Sequence, residues 1–181
     1  MTSESPAGEA MSREGKGTAA ESEQGNSRPV PWADVQARLA QGGWYWLATV
    51  RPDGAPHVMP VFAAWSESVF YVASKDTARK SRNLAADGRC VVSSDKDDVH
   101  LVVEGEARQV TDQAGLQRAS GAFDTVYGWP TVVVAGKLDS EYGAPTSGGP
   151  PYDVYKITPT KAFAFPTDGE SITPTRWRFT G

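Results

Sequence analysis

Two apolar runs separated by one short turn constrain the fold of this chain most strongly. Residues 44–50 and 57–65 are almost wholly apolar, and Arg-Pro-Asp-Gly-Ala-Pro lies between them. The pair Asp53-Gly54 is a strong hairpin signal, because a tight turn between antiparallel strands needs positive φ angles that glycine adopts without steric cost. A third run, Val69–Ser74, follows a polar break. We therefore predict three antiparallel strands in a meander at the centre of the fold.

Both faces of the first predicted strand are apolar. Trp44 and Trp46 alternate with Tyr45 and Leu47, and successive side chains of a strand point to opposite faces. This pattern is typical of a barrel strand whose outer face is also covered, by a helix or by a second subunit. In the second strand Pro60 has no N–H to donate, which predicts an edge or a local break in the sheet.

Positive charge is concentrated directly after the third strand. Residues 75–83 contain four cations, and residues 78–86 are predicted to form a short helix. The N–H groups at a helix N-terminus, together with Arg and Lys side chains, can bind an anion, phosphate above all. The alternative is a solvated, charged helix face, and the residues alone leave both interpretations open.

The rest of the chain adds mainly strands. Helices are predicted over residues 31–40 and 112–122, and strands over residues 89–94, 99–111, 152–157, 161–167 and 175–179. Gly88 is predicted to cap the basic helix in the left-handed conformation, and Gly105 to mark a bulge. The fold class is therefore mainly β with a few helices. The Gly- and Pro-rich residues 138–151 are predicted to form a loop of unusual length, which indicates either function or disorder.

The first 29 residues differ in composition from the remainder of the 181-residue chain. They contain almost no large apolar side chain. Such a segment cannot bury enough surface to offset the entropy lost on ordering, so residues 1–29 are predicted to be a disordered tail and residues 30–181 a single domain. The sequence contains no run of the ~18–20 apolar residues that cross a membrane and no secretory signal. A cytoplasmic protein without membrane contact is expected.

Charge and residue counts argue against several classes of function. The net charge of −4 disfavours nucleic-acid binding, which usually requires a basic surface. Cys90 is the only cysteine and is interpreted as a small buried apolar residue. Two histidines, His57 and His100, give little support for a metal site. His57, beside the turn, is interpreted as a surface or interface residue.

Five segments together resemble the pyridoxamine 5'-phosphate oxidase-like family, the flavin-binding split β-barrels. They read WLATVRPDGAPHVMPV, VFYVAS, ARKSRNL, VVEGEARQV and TRWRF, and they extend over roughly residues 31–179. The resemblance implies FMN, or alternatively the deazaflavin coenzyme F-420, as cofactor. It also implies a homodimer with two sites between the subunits. It does not identify a substrate.

The resemblance also implies which residues contact the cofactor. Arg79 and Lys80 align with the basic pair that binds the flavin phosphate, Ser74 with the hydroxyl that precedes it, and Asn83 caps the helix or orients Lys80. The remaining implied contacts are the second-strand residues Val58, Met59, Pro60 and Val61 and the C-terminal residues Arg176 and Trp177. For Trp177 the alternative is a place in the barrel core. Residues 141–151 are interpreted as a substrate lid.

No catalytic side chain is identified. Neither a Ser-His-Asp constellation nor an acid–base pair is evident in the sequence, as suits flavin chemistry, in which hydride transfer occurs on the cofactor. The RLHDR-type segment of true pyridoxamine phosphate oxidases is replaced by TRWRF, so pyridoxal phosphate synthesis is not expected. The chain is predicted to be an FMN-dependent oxidoreductase. The alternatives are a reductase that uses F-420 as cosubstrate, a non-catalytic flavin-binding protein and a dimer without cofactor.

Overall fold

The computed structural model describes residues 6–11, 29–96, 99–144, 148–167 and 173–179. Its helices are α1 (Trp32–Ala40), α2 (Arg79–Ala86) and α3 (Gln113–Tyr127). Its strands are β1 (Glu9–Ala10), β2 (Trp44–Val50), β3 (Pro56–Ser66), β4 (Val69–Ser74), β5 (Arg89–Lys96), β6 (Val99–Val110), β7 (Val132–Val134), β8 (Lys137–Asp139), β9 (Asp153–Pro166) and β10 (Thr175–Arg178).

Six antiparallel strands close into a barrel. The order of the main sheet is β1-β10-β9-β4-β3-β2-β5-β6, and β6 also pairs with β9, which closes the ring. One side of β9 pairs with β6 along most of its length, while the other side pairs first with β4 and then with β10. The predicted fold class, a mainly β split barrel with a few helices, is confirmed.

The predicted hairpin forms, and it leaves half of β3 with an open edge. Gly54 has a φ of 84°, and its N–H donates to Arg51 O over 2.8 Å. Strand β2 pairs with residues 56–62 of β3, whereas β4 pairs only from Ala63 onward. Pro60 therefore lies on a strand edge, as its missing N–H predicts.

Two glycines allow close backbone approach, one of them in an unexpected way. The prediction that Gly88 caps α2 in the left-handed conformation is wrong, because α2 ends through Asp87 in an extended conformation. Gly88 O instead accepts from Ala107 N over 2.7 Å, and a Cβ on Gly88 would lie 2.6 Å from Ala107 O. The predicted irregularity at Gly105 is confirmed by a register shift between Glu104 and Gly105.

Two elements are longer than their local sequence predicts. Helix α3 continues to Tyr127 because its apolar face extends to the buried Phe123, and Gly128, with a φ of 59°, ends it. Strand β9 is continuous, although a break was predicted around Pro159. Pairing with β6 runs past Pro159, which lies beside the bulge, a position where a sheet tolerates proline.

The barrel interior and α3 form two apolar clusters. Trp32, Val35 and Leu39 of α1 close the barrel core, in which Trp177 is also buried. The second cluster packs α3 against the outside of β4 and β9. Among the helices of the described residues, none is long and apolar enough to cross a membrane.

Part of the predicted disordered tail is placed in the sheet. Residues 6–11 include β1, which pairs with Thr175 and Arg176 of β10, and Met11 N donates to Pro174 O over 2.7 Å. This short segment differs from the prediction because the edge of β10 offers it backbone partners. Residues 1–5 and 12–28 lie outside the described residues.

Candidate functional site

The N-terminus of α2 begins without a side-chain cap. Ala78 occupies the N-cap position and makes no capping hydrogen bond, whereas Ser, Thr, Asp or Asn there would accept from the first N–H groups. Arg79, the first helical residue, is exposed. The first N–H groups of a helix lack intrahelical partners, so this end of α2 can accept an anion.

Lys80 is buried beside that helix start. Only 5% of its surface is exposed, which is rare for a lysine without a partner. In the described part of the chain no carboxylate lies within 4 Å of its ammonium group and no hydrogen bond to it is found. Burial lowers the pKa of Lys80 below its usual value. A buried charge is costly unless it is paired, so this position fits an anionic group of a ligand.

A buried polar network ties α2 to the first hairpin. Asn83 Nδ2 donates to Thr49 Oγ1 over 2.9 Å, and Thr49 Oγ1 lies 3.3 Å from His57 Nδ1. Asn83 Oδ1 is buried and has no hydrogen-bond partner within the described residues. The network fixes the helix that carries the cations against β2 and β3, and it leaves one buried acceptor unsatisfied.

Ser74 lies where β4 ends and β3 becomes an open edge. Its side chain is buried, and Ser81 Oγ of α2 donates to Ser74 Oγ over 2.9 Å. The last β3–β4 pair is Ala63 with Val72, two residues before Ser74. The end of β4, the start of α2 and the open edge of β3 therefore meet in one region.

The open edge presents the four second-strand residues named by the resemblance. Val58 and Met59 are 50% and 43% exposed, Pro60 is half-buried and Val61 is buried. Strand edges carry unpaired N–H and C=O groups. Such groups can hold the polar edge of a planar ligand.

His57 and Thr49 belong to this region, and sequence reasoning missed both. Burial lowers the pKa of His57, and the charges of Arg51, Arg79 and Lys80 lower it further. The hairpin register pairs Thr49 with His57. Since the turn type sets register in a hairpin, the Asp53-Gly54 signal could have identified this pair.

A second ion-pair cluster holds the loop that precedes α2. Lys137 Nζ of β8 lies 3.2 Å from Asp76 Oδ2 and 3.1 Å from Asp153 Oδ1. Asp153 is buried and pairs with Ser74 in the β4–β9 ladder. The β7–β8 hairpin is thus connected to the loop between Ser74 and Arg79.

The C-terminal pair lies apart from these contacts. Trp177 is 1% exposed, and its ring centroid lies 5.3 Å from that of Trp32. It therefore occupies the barrel core, which was the alternative to cofactor contact. Arg176 donates to Glu9 Oε2 over 2.6 Å, while its Nε is buried without a partner among the described residues. Cofactor contact by Arg176 and Trp177 stays a prediction.

A closed six-stranded barrel in which one strand keeps an open edge beside a cationic helix defines a split β-barrel. The family model for pyridoxamine 5'-phosphate oxidase matches residues 32–165, which is more than half of the chain. The protein belongs to this family.

Solved structures show the same fold at low sequence identity. A pyridoxamine 5'-phosphate oxidase-related, FMN-binding protein from Nostoc punctiforme is 15% identical, with a TM-score of 0.53 over 84% of this chain and 98% of that one. General Stress Protein 26 from Bacillus anthracis is 20% identical, with a TM-score of 0.54 over 82% and 98%. A conserved hypothetical protein from Mycobacterium tuberculosis is 17% identical, with a TM-score of 0.60 over 81% and 91%. Among curated protein sequences no match was found.

Proposed function

We propose that this protein is an FMN-dependent oxidoreductase that transfers hydride to or from a small organic substrate. The observation that carries the proposal is Lys80, a buried lysine without an anionic partner in the described chain, at the uncapped start of α2. The phosphate of a flavin would supply the anionic partner that the Lys80 ammonium group lacks among the described residues. A cytoplasmic location stays part of the proposal.

Three side chains would hold the phosphate. Lys80 supplies a buried ammonium group, and Arg79 a guanidinium that can form two parallel hydrogen bonds to phosphate oxygens. Ser74 accepts from Ser81, which leaves the Ser74 hydroxyl hydrogen to donate. Asn83 orients the helix through Thr49, and its free Oδ1 can accept from Lys80 or from the ligand.

The ring of the flavin would lie against the open edge of β3. Backbone groups of residues 58–61 can bind the polar edge of the ring system, and no side chain is required to do so. When bound, FMN supplies the hydride chemistry. The chain positions the ring, and His57 adds a titratable group beside the two cations.

A homodimer is the second part of the proposal. The outer face of the first hairpin exposes Trp44, Trp46 and Val58, which are 58%, 51% and 50% exposed. Trp46 pairs with Pro60 across the ladder, so this apolar face adjoins the open edge. Contiguous exposed apolar surface commonly marks an interaction site. A second copy of the chain on this face would cover the tryptophans and enclose the flavin edge.

Titration of the apoprotein with FMN and, separately, with F-420 tests the cofactor. We expect FMN to bind, and Arg79→Ala to weaken FMN binding by about 1.5–3 kcal/mol, because charge-assisted hydrogen bonds are lost. Arg108→Ala is the matched control, since Arg108 is an exposed residue of β6 paired with Glu106. If Arg79→Ala and Lys80→Ala each bind FMN as tightly as the wild-type protein does, the phosphate assignment is overturned.

The same titration separates the alternatives. Binding of F-420 in preference to FMN would make the protein a deazaflavin-dependent reductase. Bleaching of bound FMN by a reduced nicotinamide under anaerobic conditions distinguishes turnover from a non-catalytic flavin-binding protein. Binding of neither flavin would remove the proposed chemistry and leave the fold unchanged.

A further inference from the structure

An apolar cavity of about 470 Å³ lies next to the proposed flavin edge. We call it the aromatic cavity. Its principal walls are Phe62, Ala73, Phe123, Tyr127, Trp129 and Tyr142. It has the size of many small-molecule sites, which are mostly apolar and concave.

The aromatic cavity uses the same two strands as the proposed cofactor site. Phe62 follows Val61 on β3, and Ala73 precedes Ser74 on β4. Since neighbouring residues of a strand face opposite sides, the cavity and the phosphate site lie on opposite faces of one sheet segment. The β3–β4 ladder ends between them, at Ala63 and Val72. A ligand in the cavity would therefore reach the open edge where the flavin ring is proposed.

The indole N–H of Trp129 and the hydroxyl of Tyr127 already have hydrogen-bond partners. Trp129 Nε1 donates to Tyr142 O over 3.1 Å. The Tyr127 hydroxyl donates to Ala63 O over 2.8 Å and accepts from Gly43 N over 3.2 Å. Burial raises the pKa of Tyr127 to about 12, so this side chain is neutral at physiological pH.

Charge and ring geometry then define the ligand. The wall residues found within the described chain include no charged side chain, so a charged ligand would lose its hydration without compensation. The rings of Phe62 and Tyr127 meet edge to face at 5.1 Å, and those of Phe123 and Trp129 at 5.3 Å. Aromatic walls of this kind favour further edge-to-face or offset contacts with a flat ring.

We propose that the aromatic cavity binds a neutral, planar ring compound, aromatic or quinonoid, as the ring-bearing part of the substrate. Its place beside the flavin rests on the proposed function, whereas its preference for a neutral ring rests on the cavity alone. Of its aromatic walls, Tyr142 is 65% exposed and Trp129 is half-buried.

Calorimetric titration of the full chain with 1-naphthol and with 1-naphthalenesulfonate tests the ligand class, because the two probes share a ring system and differ in charge. We expect 1-naphthol to bind at least ten-fold more tightly than the sulfonate. Trp129→Leu should weaken 1-naphthol binding about ten-fold or more, and Tyr142→Ala about three-fold, since each removes ring contacts. Val132→Ala is the control, because Val132 is 61% exposed and does not line the cavity.

FMN titrations of the same proteins keep the two proposals apart. Arg79→Ala should weaken FMN binding and leave 1-naphthol binding unchanged. Unaltered 1-naphthol affinity in both Trp129→Leu and Tyr142→Ala would overturn the cavity assignment, and so would tighter binding of the sulfonate. Parallel loss of FMN affinity in both cavity variants would mean that the flavin itself occupies the cavity. Wild-type binding of 1-naphthol without FMN binding would refute the flavin and keep the cavity as a site for neutral rings.

Discussion

Asn83 of α2 donates a hydrogen bond to Thr49 of β2 over 2.9 Å, and both side chains are almost fully buried. This contact connects the cationic helix to the barrel wall. Thr49 in turn contacts His57 on β3. One amide group in the middle of α2 is thereby connected, through Thr49, to the strand that carries the open edge.

Replacement of Asn83 by alanine should destabilise the protein by about 1–3 kcal/mol, because Thr49 Oγ1 loses its buried donor. Urea denaturation followed by circular dichroism measures the change. Arg82→Ala is the control: Arg82 is an exposed residue of the same helix, and such substitutions usually change stability by no more than about 0.5 kcal/mol. Equal stability of Asn83→Ala and wild type would show that the tether contributes nothing.

Lys80→Met should separate stability from binding. Burial lowers the pKa of Lys80 in the folded protein, so the unfolded chain holds this proton more tightly. The buried charge of Lys80 therefore lowers the free energy of unfolding by its full amount at any pH below the lowered pKa. This destabilisation is relieved as the pH rises from that value to the ordinary lysine pKa. We expect apo Lys80→Met to be at least as stable as wild type at pH 7, while its FMN affinity falls by about 1.5–3 kcal/mol.

Thermal melting of the two apoproteins from pH 7 to pH 10 checks this prediction. The advantage of the Met variant should shrink as the pH rises. A Met variant that is less stable at pH 7 and keeps its affinity for FMN would contradict both parts, because Lys80 would then serve only in packing.

Cys90 should be inert in the folded protein. It is 6% exposed, its thiol donates to Gly105 O over 3.6 Å, and burial raises its pKa to about 12. Reaction with a disulfide reagent at pH 8 should be slow in buffer and immediate in denaturant, since the thiolate is the reactive form. Rapid labelling of the native protein would disprove the buried assignment.

The raised pKa of Cys90 has a consequence for alkaline stability. The folded protein holds the thiol proton more tightly than the unfolded chain does. The protonated thiol therefore makes its full favourable contribution to the free energy of unfolding at pH values below the ordinary thiol pKa. This contribution is lost as the pH rises from about 9 toward 12. Tyr127, whose pKa burial raises to about 12, adds to the loss above pH 10. Cys90→Ala should reduce the fall in melting temperature between pH 8.5 and 10, and an unchanged profile would contradict this.

Short-range signals in the sequence predicted their parts of the fold well. The Asp53-Gly54 turn and the alternating apolar runs on either side of it specify the hairpin and its register. Asp112 was predicted to begin a helix, and its carboxylate accepts from Gly115 N. Proline misled the prediction where pairing with a strand distant in the sequence determines the secondary structure. Pro159 does not interrupt β9, because β6 pairs with that strand on both sides of the bulge.

The candidate site shows the same division. The charge run pointed to residues 75–83 and left a solvated helix face as the alternative, and the family resemblance singled out Arg79 and Lys80, whose phosphate contact stays a prediction. That Lys80 is buried while Arg79 is exposed depends on how α2 packs against β2, which no local pattern encodes. For the same reason His57 was interpreted only as a surface or interface residue. Its closeness to the cations arises from the hairpin register together with the placement of α2.

Trp46→Glu tests the proposed dimer. Trp46 is 51% exposed on the outer face of β2, so a charge there should leave the fold of each subunit intact. In a dimer built on this face the same charge would be buried without a partner, at a cost of several kcal/mol. Sedimentation equilibrium should show a dimer for wild type and a monomer for Trp46→Glu, with a similar circular dichroism spectrum. Val132→Glu is the matched control, because Val132 is an exposed apolar residue of β7 that belongs to neither strand of the first hairpin, and it should stay dimeric. A monomeric wild type would refute the dimer, and a dimeric Trp46→Glu protein would move the interface to another surface.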